Sequence, residues 1–348
     1  MTIADAPVQT GTADVAEPGI RARGVRRSFG AVHAVRDVTF DAARGRVTGL
    51  VGPNGSGKTT LLLMLASLLQ PDAGELRVNG IDPMAEPQAA RAIIGWMPDA
   101  LGAWPSLTAR ETLQFTGRLY GLSKADAAAR AAVLLDVVML ADLADAPARV
   151  LSRGQKQKLG LARALVHDPQ VLLLDEPASG LDPQARVHLR ELLRGLAAEG
   201  RTILLSSHVL SELEEVVDDA VFLVAGQTVD AAPDRTATDW RVRVLGGTAS
   251  GAAVAAALGL DAGLLRVDRG DLIVPFPDDA AAAAGLRALV QADIPVLAFS
   301  PAVGSLERAF FDLPGTPPPG GPSPGAAAAG LSDPGLPPAP APHDGGAA

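Results

Sequence analysis

A glycine-rich segment between two apolar runs constrains the fold of this chain more than any other feature. Residues 46–51 (RVTGLV) predict a short buried strand, and residues 59–69 predict a helix that ends before Pro71. Four glycines lie within residues 49–57, and glycine adopts positive φ at little cost and lets a ligand approach the backbone. The segment therefore predicts a tight loop leading into a helix N-terminus, where free N–H groups and the helix dipole favour an anion.

The loop has the spacing G-x-x-x-x-G-K-[ST] of a P-loop. In such a loop, backbone N–H groups wrap phosphate oxygens, the lysine reaches the β- and γ-phosphates, and the threonine hydroxyl holds Mg²⁺. A chance match in a glycine-rich turn is the alternative, and the position between strand and helix argues against it. The P-loop alone indicates a nucleotide, with Mg²⁺ at the threonine hydroxyl. The predicted nucleotide-binding residues are Gly52, Pro53, Asn54, Gly55, Ser56, Gly57, Lys58, Thr59 and Thr60.

Two acidic residues follow a second apolar run, at 171–177 (VLLLDEP). The run predicts a buried strand, and such strands deliver functional groups at their C-terminal ends. Asp175 is suited there to the Mg²⁺ shell, and Glu176 to polarising a water against the γ-phosphate. A solvated acidic turn is the alternative, and the P-loop upstream makes the catalytic interpretation the better one.

The segment LSRGQ at 151–155 precedes an amphipathic run. Ser152 is a good N-cap, and a helix N-terminus again attracts phosphate. An ordinary capped helix is the alternative. One domain then contains two helix N-termini that each favour phosphate. This raises the geometric question of how both could contact a nucleotide.

Composition limits the classes of protein to which the chain can belong. Its 348 residues suffice for about two domains plus tails, and 48% hydrophobic with 3% aromatic residues predicts an aliphatic core. The net charge of −9 argues against a broad nucleic-acid-binding face. The absence of cysteine excludes disulfides, thiol catalysis and cysteine metal sites. No apolar run approaches the roughly 18–20 residues that span a bilayer, and the N-terminus does not resemble a secretory signal, so we expect a soluble, cytoplasmic protein.

The pattern along the chain predicts five segments. Residues 1–19 predict a disordered extension, and 20–230 alternate strand-like and helical runs, which predicts an α/β domain. Residues 231–238 predict a linker, and 239–313 predict a small α+β domain in the order β-α-β-β-α-β of ferredoxin-like units. The Pro/Gly/Ala-rich tail, 314–348, predicts a disordered or polyproline segment, with a proline-rich docking motif as the alternative.

On these motifs the chain resembles the ATP-binding cassette (ABC) ATPases over roughly residues 20–230. The segment 151–155 is similar to the family signature L-S-G-G-Q, with Arg153 at the first glycine position and Gly154 at the second. The resemblance implies that Ser152, Gly154 and Gln155 contact the nucleotide held by a second, head-to-tail copy, so that two copies enclose two ATPs. It also implies an α/β P-loop NTPase fold with a RecA-like core and a helical signature subdomain.

The resemblance extends to further positions. Phe29 in RRSFG matches the aromatic that stacks on adenine, with a core phenylalanine as the alternative. Asp182 ends the D-loop SGLD and is also a plausible N-cap, and His208 matches the switch histidine at the γ-phosphate, with a structural histidine as the alternative. Asp99 stands where the family has its Q-loop glutamine; a carboxylate can approach Mg²⁺ but cannot donate a hydrogen bond. The implied catalytic residues are Lys58, Glu176 and His208, and the implied Mg²⁺ ligands are Thr59, Asp175 and Asp99.

The same resemblance implies a task. Residues 99–115, which include LTARETL, look like the groove that receives a separate polytopic membrane permease, with a satellite core around Trp104 as the alternative. The chain would then be a subunit of an exporter of a drug, antibiotic, ion or lipid-like compound, at the cytoplasmic face of the cell membrane. The alternatives are a soluble ABC ATPase that acts on ribosomes or DNA, and a cassette that regulates a sensor. The single compact cassette and the acidic balance favour transport, so no nucleic-acid partner is expected.

Overall fold

The computed structural model describes residues 17–100, 102, 104–229, 238–245, 251–268 and 270–302. These residues form two separate sheets, one of nine strands and one of four. The strands of the larger sheet are β1 (Ile20–Phe29), β2 (Val32–Ala42), β3 (Val47–Val51), β4 (Ala73–Val78), β5 (Ile94–Met97), β6 (Val171–Asp175), β7 (Thr202–Ser207), β8 (Asp219–Val224) and β9 (Gln227–Val229). The helices of this unit are α1 (Lys58–Leu65), α2 (Pro87–Ile93), α3 (Ala109–Leu119), α4 (Lys124–Val137), α5 (Arg153–Ala164), α6 (Pro183–Ala198) and α7 (Leu210–Glu214).

The order of strands in the larger sheet is β4-β1-β2-β9-β8-β3-β7-β6-β5. Strands β3, β7 and β6 are neighbours and run parallel, and all residues of the three are buried. Because parallel strands point the same way, their C-terminal ends open at one edge of the sheet. The glycine-rich loop follows β3 there, Glu176 follows β6, and His208 follows β7.

The core on both sides of this sheet is aliphatic, as the composition predicts. One cluster packs α1 against β1 and β2 and includes Leu61 and Leu62; the other packs α3, α4 and α5 and includes Leu113 and Leu135. The predicted α/β class, with a helical layer that carries the signature segment, is confirmed.

The P-loop helix differs from its prediction in length. Residues 59–69 were expected to be helical, and α1 ends at Leu65. Ser67 adopts a φ of 60°, and Leu68 N–H donates to Leu63 O at 2.9 Å, which closes the last turn before Pro71 is reached. Past the helix Ala66 is buried and Leu69 packs against the core from the turn, whereas Leu68 is exposed.

The smaller sheet has the predicted order β-α-β-β-α-β of a ferredoxin-like unit. Its elements are β10 (Thr238–Val244), α8 (Gly251–Leu258), β11 (Arg266–Asp268), β12 (Asp271–Phe276), α9 (Asp279–Gln291) and β13 (Val296–Pro301), and its antiparallel strands lie in the order β11-β12-β10-β13. The sheet buries Asp271, whose hydrogen bonds with Arg243 and Arg241 lower its pKa to about 2.

Several predicted segments lie wholly or mostly outside the described residues: nearly all of the N-terminal extension, the linker except for its last residue, and the C-terminal tail. The four boundaries between the five predicted segments therefore stay predictions. Within the residues that the structure does describe, no helix combines the length and apolar character needed to cross a bilayer.

Candidate nucleotide-binding site

A cavity of about 420 Å³ opens at the edge of the larger sheet where β3 and β6 end. It brings together residues that are far apart in sequence, from the end of β1 to the residue after β6. The predicted site residues that line it are Phe29, Asn54, Gly55, Gly57, Lys58, Thr59, Thr60, Asp99, Asp175 and Glu176, and Val32, His33 and Ala34 complete the lining.

The loop beneath this cavity needs glycine at two positions. A Cβ on Gly52 would lie 2.2 Å from the carbonyl oxygen of Leu223, which no backbone adjustment of normal size relieves. Gly57 has a φ of 102°, and a Cβ there would lie 2.4 Å from the carbonyl oxygen of Ala34. The first and last glycines of the motif are therefore fixed by packing and backbone conformation, independently of any ligand.

Lys58 is a buried cation at the N-terminus of α1, with 7% of its surface exposed. Its Nζ donates to Gly52 O at 2.7 Å and to Pro53 O at 3.1 Å. Burial lowers the pKa of Lys58 below its ordinary value, and the charges of Glu176 and Asp175 partly offset this. A buried ammonium at a helix N-terminus is a strong site for phosphate oxygens.

Thr59 and Asp175 form an oxygen pair at the floor of the cavity. Thr59 Oγ1 donates to Asp175 Oδ2 at 2.9 Å, and Asp175 is itself buried. Mg²⁺ prefers oxygen ligands and usually takes one or two from protein, the rest from water and substrate phosphates, so this pair fits Mg²⁺. Among the described residues, no three His, Asp or Glu side chains cluster into a metal cage, and phosphate oxygens would have to complete the shell.

Two residues without a predicted role hold the acidic pair in place. Ser206 Oγ, at the end of β7, donates to Asp175 Oδ1 at 2.5 Å and accepts from Glu176 N–H at 3.0 Å. Gln157 Nε2 donates to Glu176 O at 3.2 Å from α5. Glu176 has a positive φ of 52°, which costs energy in a residue with a side chain, and these bonds stabilise that conformation. The sequence signal for Ser206 was its place at the end of an apolar strand, and its pairing with Asp175 became visible only in the sheet.

His208 contacts the Glu176 carboxylate directly. Nδ1 of His208 lies 2.9 Å from Oε2 of Glu176, so Nδ1–H donates to the carboxylate and orients it. Glu176 is 16% exposed at its side chain, which leaves it accessible from the cavity. The sequence predicted a separate role for each of these two residues and not their contact, and both roles stay predictions.

Phe29 lies at the cavity mouth and is 48% exposed. This contradicts the alternative of a core phenylalanine. One face of the ring contacts the Arg27 guanidinium, whose Cζ lies 4.8 Å from the ring centroid. The position suits a residue that stacks on a base.

The signature residues are not brought to this cavity. Among the described residues, Ser152, Gly154, Gln155 and Asp182 lie outside its lining. Ser152 and Gln155 form a capping box at the exposed start of α5, and a Cβ on Gly154 would lie 2.7 Å from Gly180 O. Asp182 caps α6 as predicted, and the hydrogen bond from Ala185 N–H lowers its pKa.

The site combines a P-loop with two acidic residues at the ends of parallel strands of one sheet, and this combination defines a P-loop nucleoside triphosphatase.

Residues 35–179 match the ABC transporter family. The Nod factor export ATP-binding protein I of Ralstonia nicotianae is 41% identical over 212 residues, covering 61% of this chain and just under two-thirds, 66%, of that relative. The ABC transporter ATP-binding protein NatA of Bacillus subtilis is 39% identical over 199 residues, covering 57% of this chain and 81% of NatA.

Among solved structures, the dimeric ATP-binding cassette MJ0796 in a post-hydrolysis state with ADP and Pi has a TM-score of 0.57 at 25% identity, covering 61% of this chain and 97% of that one. The chain belongs to the family of ABC transporter ATP-binding proteins. Members of this family bind ATP with Mg²⁺ and hydrolyse it, and the fold predicted from the sequence is confirmed.

Proposed function

We propose that the chain is the ATP-hydrolysing subunit of an ABC exporter, and that two copies join head-to-tail around two Mg-ATP. The division of the motifs carries this proposal. P-loop, Asp175 and Glu176 converge on one cavity, whereas Ser152 and Gly154 lie outside it at an exposed helix start. A second copy turned by a twofold axis supplies those residues to the open side of the cavity and answers the geometric question that the sequence raised.

The residues of the cavity divide the chemistry among them. Lys58 and the N-terminus of α1 bind the β- and γ-phosphates, and Thr59 with Asp175 holds Mg²⁺, which neutralises phosphate charge when it is bound. Glu176 polarises the attacking water, and His208 keeps the Glu176 carboxylate in one orientation. Cleavage of the γ-phosphate removes what ties the two copies together, so the dimer opens.

The surface that we assign to the permease lies on residues 104–119. Trp104 is 49% exposed and meets the exposed Phe115 edge-to-face at 4.9 Å between ring centroids, so it is not part of a buried satellite core. Leu119 extends the same exposed apolar surface. Exposed aromatic pairs of this kind are typical of protein interfaces. Leu101, in the segment 99–115 predicted to contact the permease, lies outside the described residues.

We infer export of a drug, antibiotic, ion or lipid-like compound because one of the compared relatives is named for Nod factor export. The chain then acts in the cytoplasm, held at the membrane face by its permease.

The decisive experiment compares Glu176→Gln with Glu191→Gln, a control at an exposed glutamate of α6. In saturating Mg-ATP, Glu176→Gln should bind ATP, lose nearly all turnover and run as a dimer in light-scattering chromatography. Glu191→Gln should hydrolyse ATP like the wild type. A Glu176→Gln protein that stays monomeric, both alone and with its permease, contradicts the head-to-tail dimer.

The permease is tested by purification in mild detergent from the native membrane. Co-purification of a polytopic membrane protein, lost when Trp104 and Phe115 are changed to Ser, supports the assignment. Recovery of ribosomal RNA or DNA instead favours the alternative of a soluble ABC ATPase.

A further inference from the structure

The side chain of Arg153 connects three segments at the rim of the cavity. Arg153 is the first residue of α5, in the signature segment. Its Nη2 donates to Ser179 Oγ at 2.7 Å and lies 3.9 Å from Asp99 Oδ1. Its Cγ and Cδ pack on Gly180, where a Cβ would come within 3.0 Å of both. The start of α5 is therefore joined to Asp99, two residues beyond β5, and to the D-loop of the same chain.

Neither charge of this pair suits its position when it stands alone. Asp99 lines the nucleotide cavity, where a free carboxylate repels phosphate oxygens. Arg153 places a cation at a helix N-terminus, where the helix dipole disfavours it. The paired side chains cancel both effects, and they occupy the two positions at which this chain departs from the ABC pattern it resembles.

The pair differs from a simple surface ion pair in its second contact. Exposed ion pairs contribute little because both side chains must be ordered, and Arg153 is 70% exposed at its side chain. Here the arginine stem is already held by Gly180 and the guanidinium by Ser179. The D-loop contacts therefore already restrict the Arg153 side chain, so little further conformational entropy is lost when its charge lies near Asp99.

We propose that Arg153 is a positioning residue that neutralises Asp99 and fixes the D-loop against the start of α5, so that Asp99 and Arg153 act as one compensating pair. The proposal rests on the proposed function in one respect, that the cavity takes ATP. Arg153 acts on ATP through Asp99, and we assign it no contact with nucleotide in its own chain.

The test is a double-mutant cycle of Arg153→Gln, Asp99→Gln and the double variant, with Arg149→Gln as the control at an exposed arginine four residues upstream. Glutamine at 153 removes the charge and keeps an amide donor on a shorter side chain. Arg153→Gln should weaken ATP binding about threefold to tenfold at low salt, because it leaves the Asp99 carboxylate unpaired. The double variant should bind ATP more tightly than Arg153→Gln, although it carries one more substitution.

Two further measurements separate this effect from damage to the fold. Arg153→Lys restores the charge and should recover most of the affinity for ATP. Salt at 0.5 M, where the Debye length is about 4–5 Å, should reduce the loss of ATP affinity caused by Arg153→Gln. The same salt should not change the ATP affinity of Arg149→Gln relative to the wild type. A double variant that binds ATP no better than Arg153→Gln overturns the pair. Failure of the wild-type chain to bind ATP would instead contradict the proposed function, so the two failures are distinguishable.

Discussion

The floor and the rim of the cavity are built in different ways. The floor consists of the P-loop, Thr59, Asp175 and Ser206, which are held by backbone groups and buried hydrogen bonds. The rim consists of exposed side chains: Phe29, which contacts Arg27 two residues away, and Asp99, which lies near Arg153 at 54 positions along the chain. At Gly52 and Gly57 the floor has no space for a side chain, whereas the exposed rim positions are not enclosed in this way.

Loss of the Lys58 charge should have the largest effect on the floor. Lys58→Ala removes the buried ammonium and should weaken ATP binding on the order of 100-fold, since removing one member of a buried charged contact commonly costs 2–5 kcal/mol (about 30- to several thousand-fold). Fluorescent-nucleotide titration measures it, and circular dichroism checks that the variant folds. A folded Lys58→Ala protein with wild-type ATP affinity would contradict the P-loop assignment. It would also contradict the distinction between a floor that binds phosphate and an exposed rim.

Gly57→Ala tests whether the floor tolerates even one carbon. The residue has a φ of 102°, and the added Cβ would lie 2.4 Å from Ala34 O, so the loop must move. We expect unfolding to be easier by about 1–3 kcal/mol and ATP binding to weaken with it. Gly55→Ala is the matched control: Gly55 has a φ of 79° but no heavy atom within 4 Å of its Cβ position. Equal losses of stability would mean that backbone conformation, and not packing, sets the cost.

Ser206→Ala separates the support of the acidic pair from the pair itself. The change removes the hydroxyl that contacts both Asp175 and Glu176, and leaves their side chains in place. We expect turnover to fall about 10- to 100-fold and more Mg²⁺ to be needed, as for residues that orient metal ligands. Magnesium titration of ATPase rate measures this. Ser207→Ala, at a neighbouring buried serine that accepts from Val209 N–H, should leave the Mg²⁺ requirement unchanged.

Prediction from sequence succeeded where a local pattern decides the structure. Glycine spacing, apolar runs and capping residues such as Ser152 and Asp182 each act within a few residues, so the loop, the strand ends and the helix starts were readable. Ser206 and Gln157 could not be assigned roles, because their contacts with Glu176 depend on which strands and helices become neighbours. Arg153 and Asp99 are 54 positions apart, and nothing local indicates that they pair.

The smallest predicted effect lies at the rim, where Arg27 contacts the ring of Phe29. Arg27 places its guanidinium 4.8 Å from the ring centroid, and Asp72 holds it through an ion pair at 2.8 Å while accepting from Ser28 N–H at 2.7 Å. Arg27→Met keeps the stem and removes the charge. We expect ATP binding to weaken about twofold to fivefold, in line with a cation–π contact at an exposed site.

Inorganic tripolyphosphate is the control ligand for Arg27→Met, because it has the phosphates of ATP and no base. If Arg27 acts only by fixing the ring on which adenine stacks, its loss should weaken ATP and leave tripolyphosphate unaffected. Lys58→Ala should weaken both ligands, since it acts on the phosphates. Equal weakening of both ligands by Arg27→Met would mean that the end of β1 supports the floor as well, and that floor and rim are not independent.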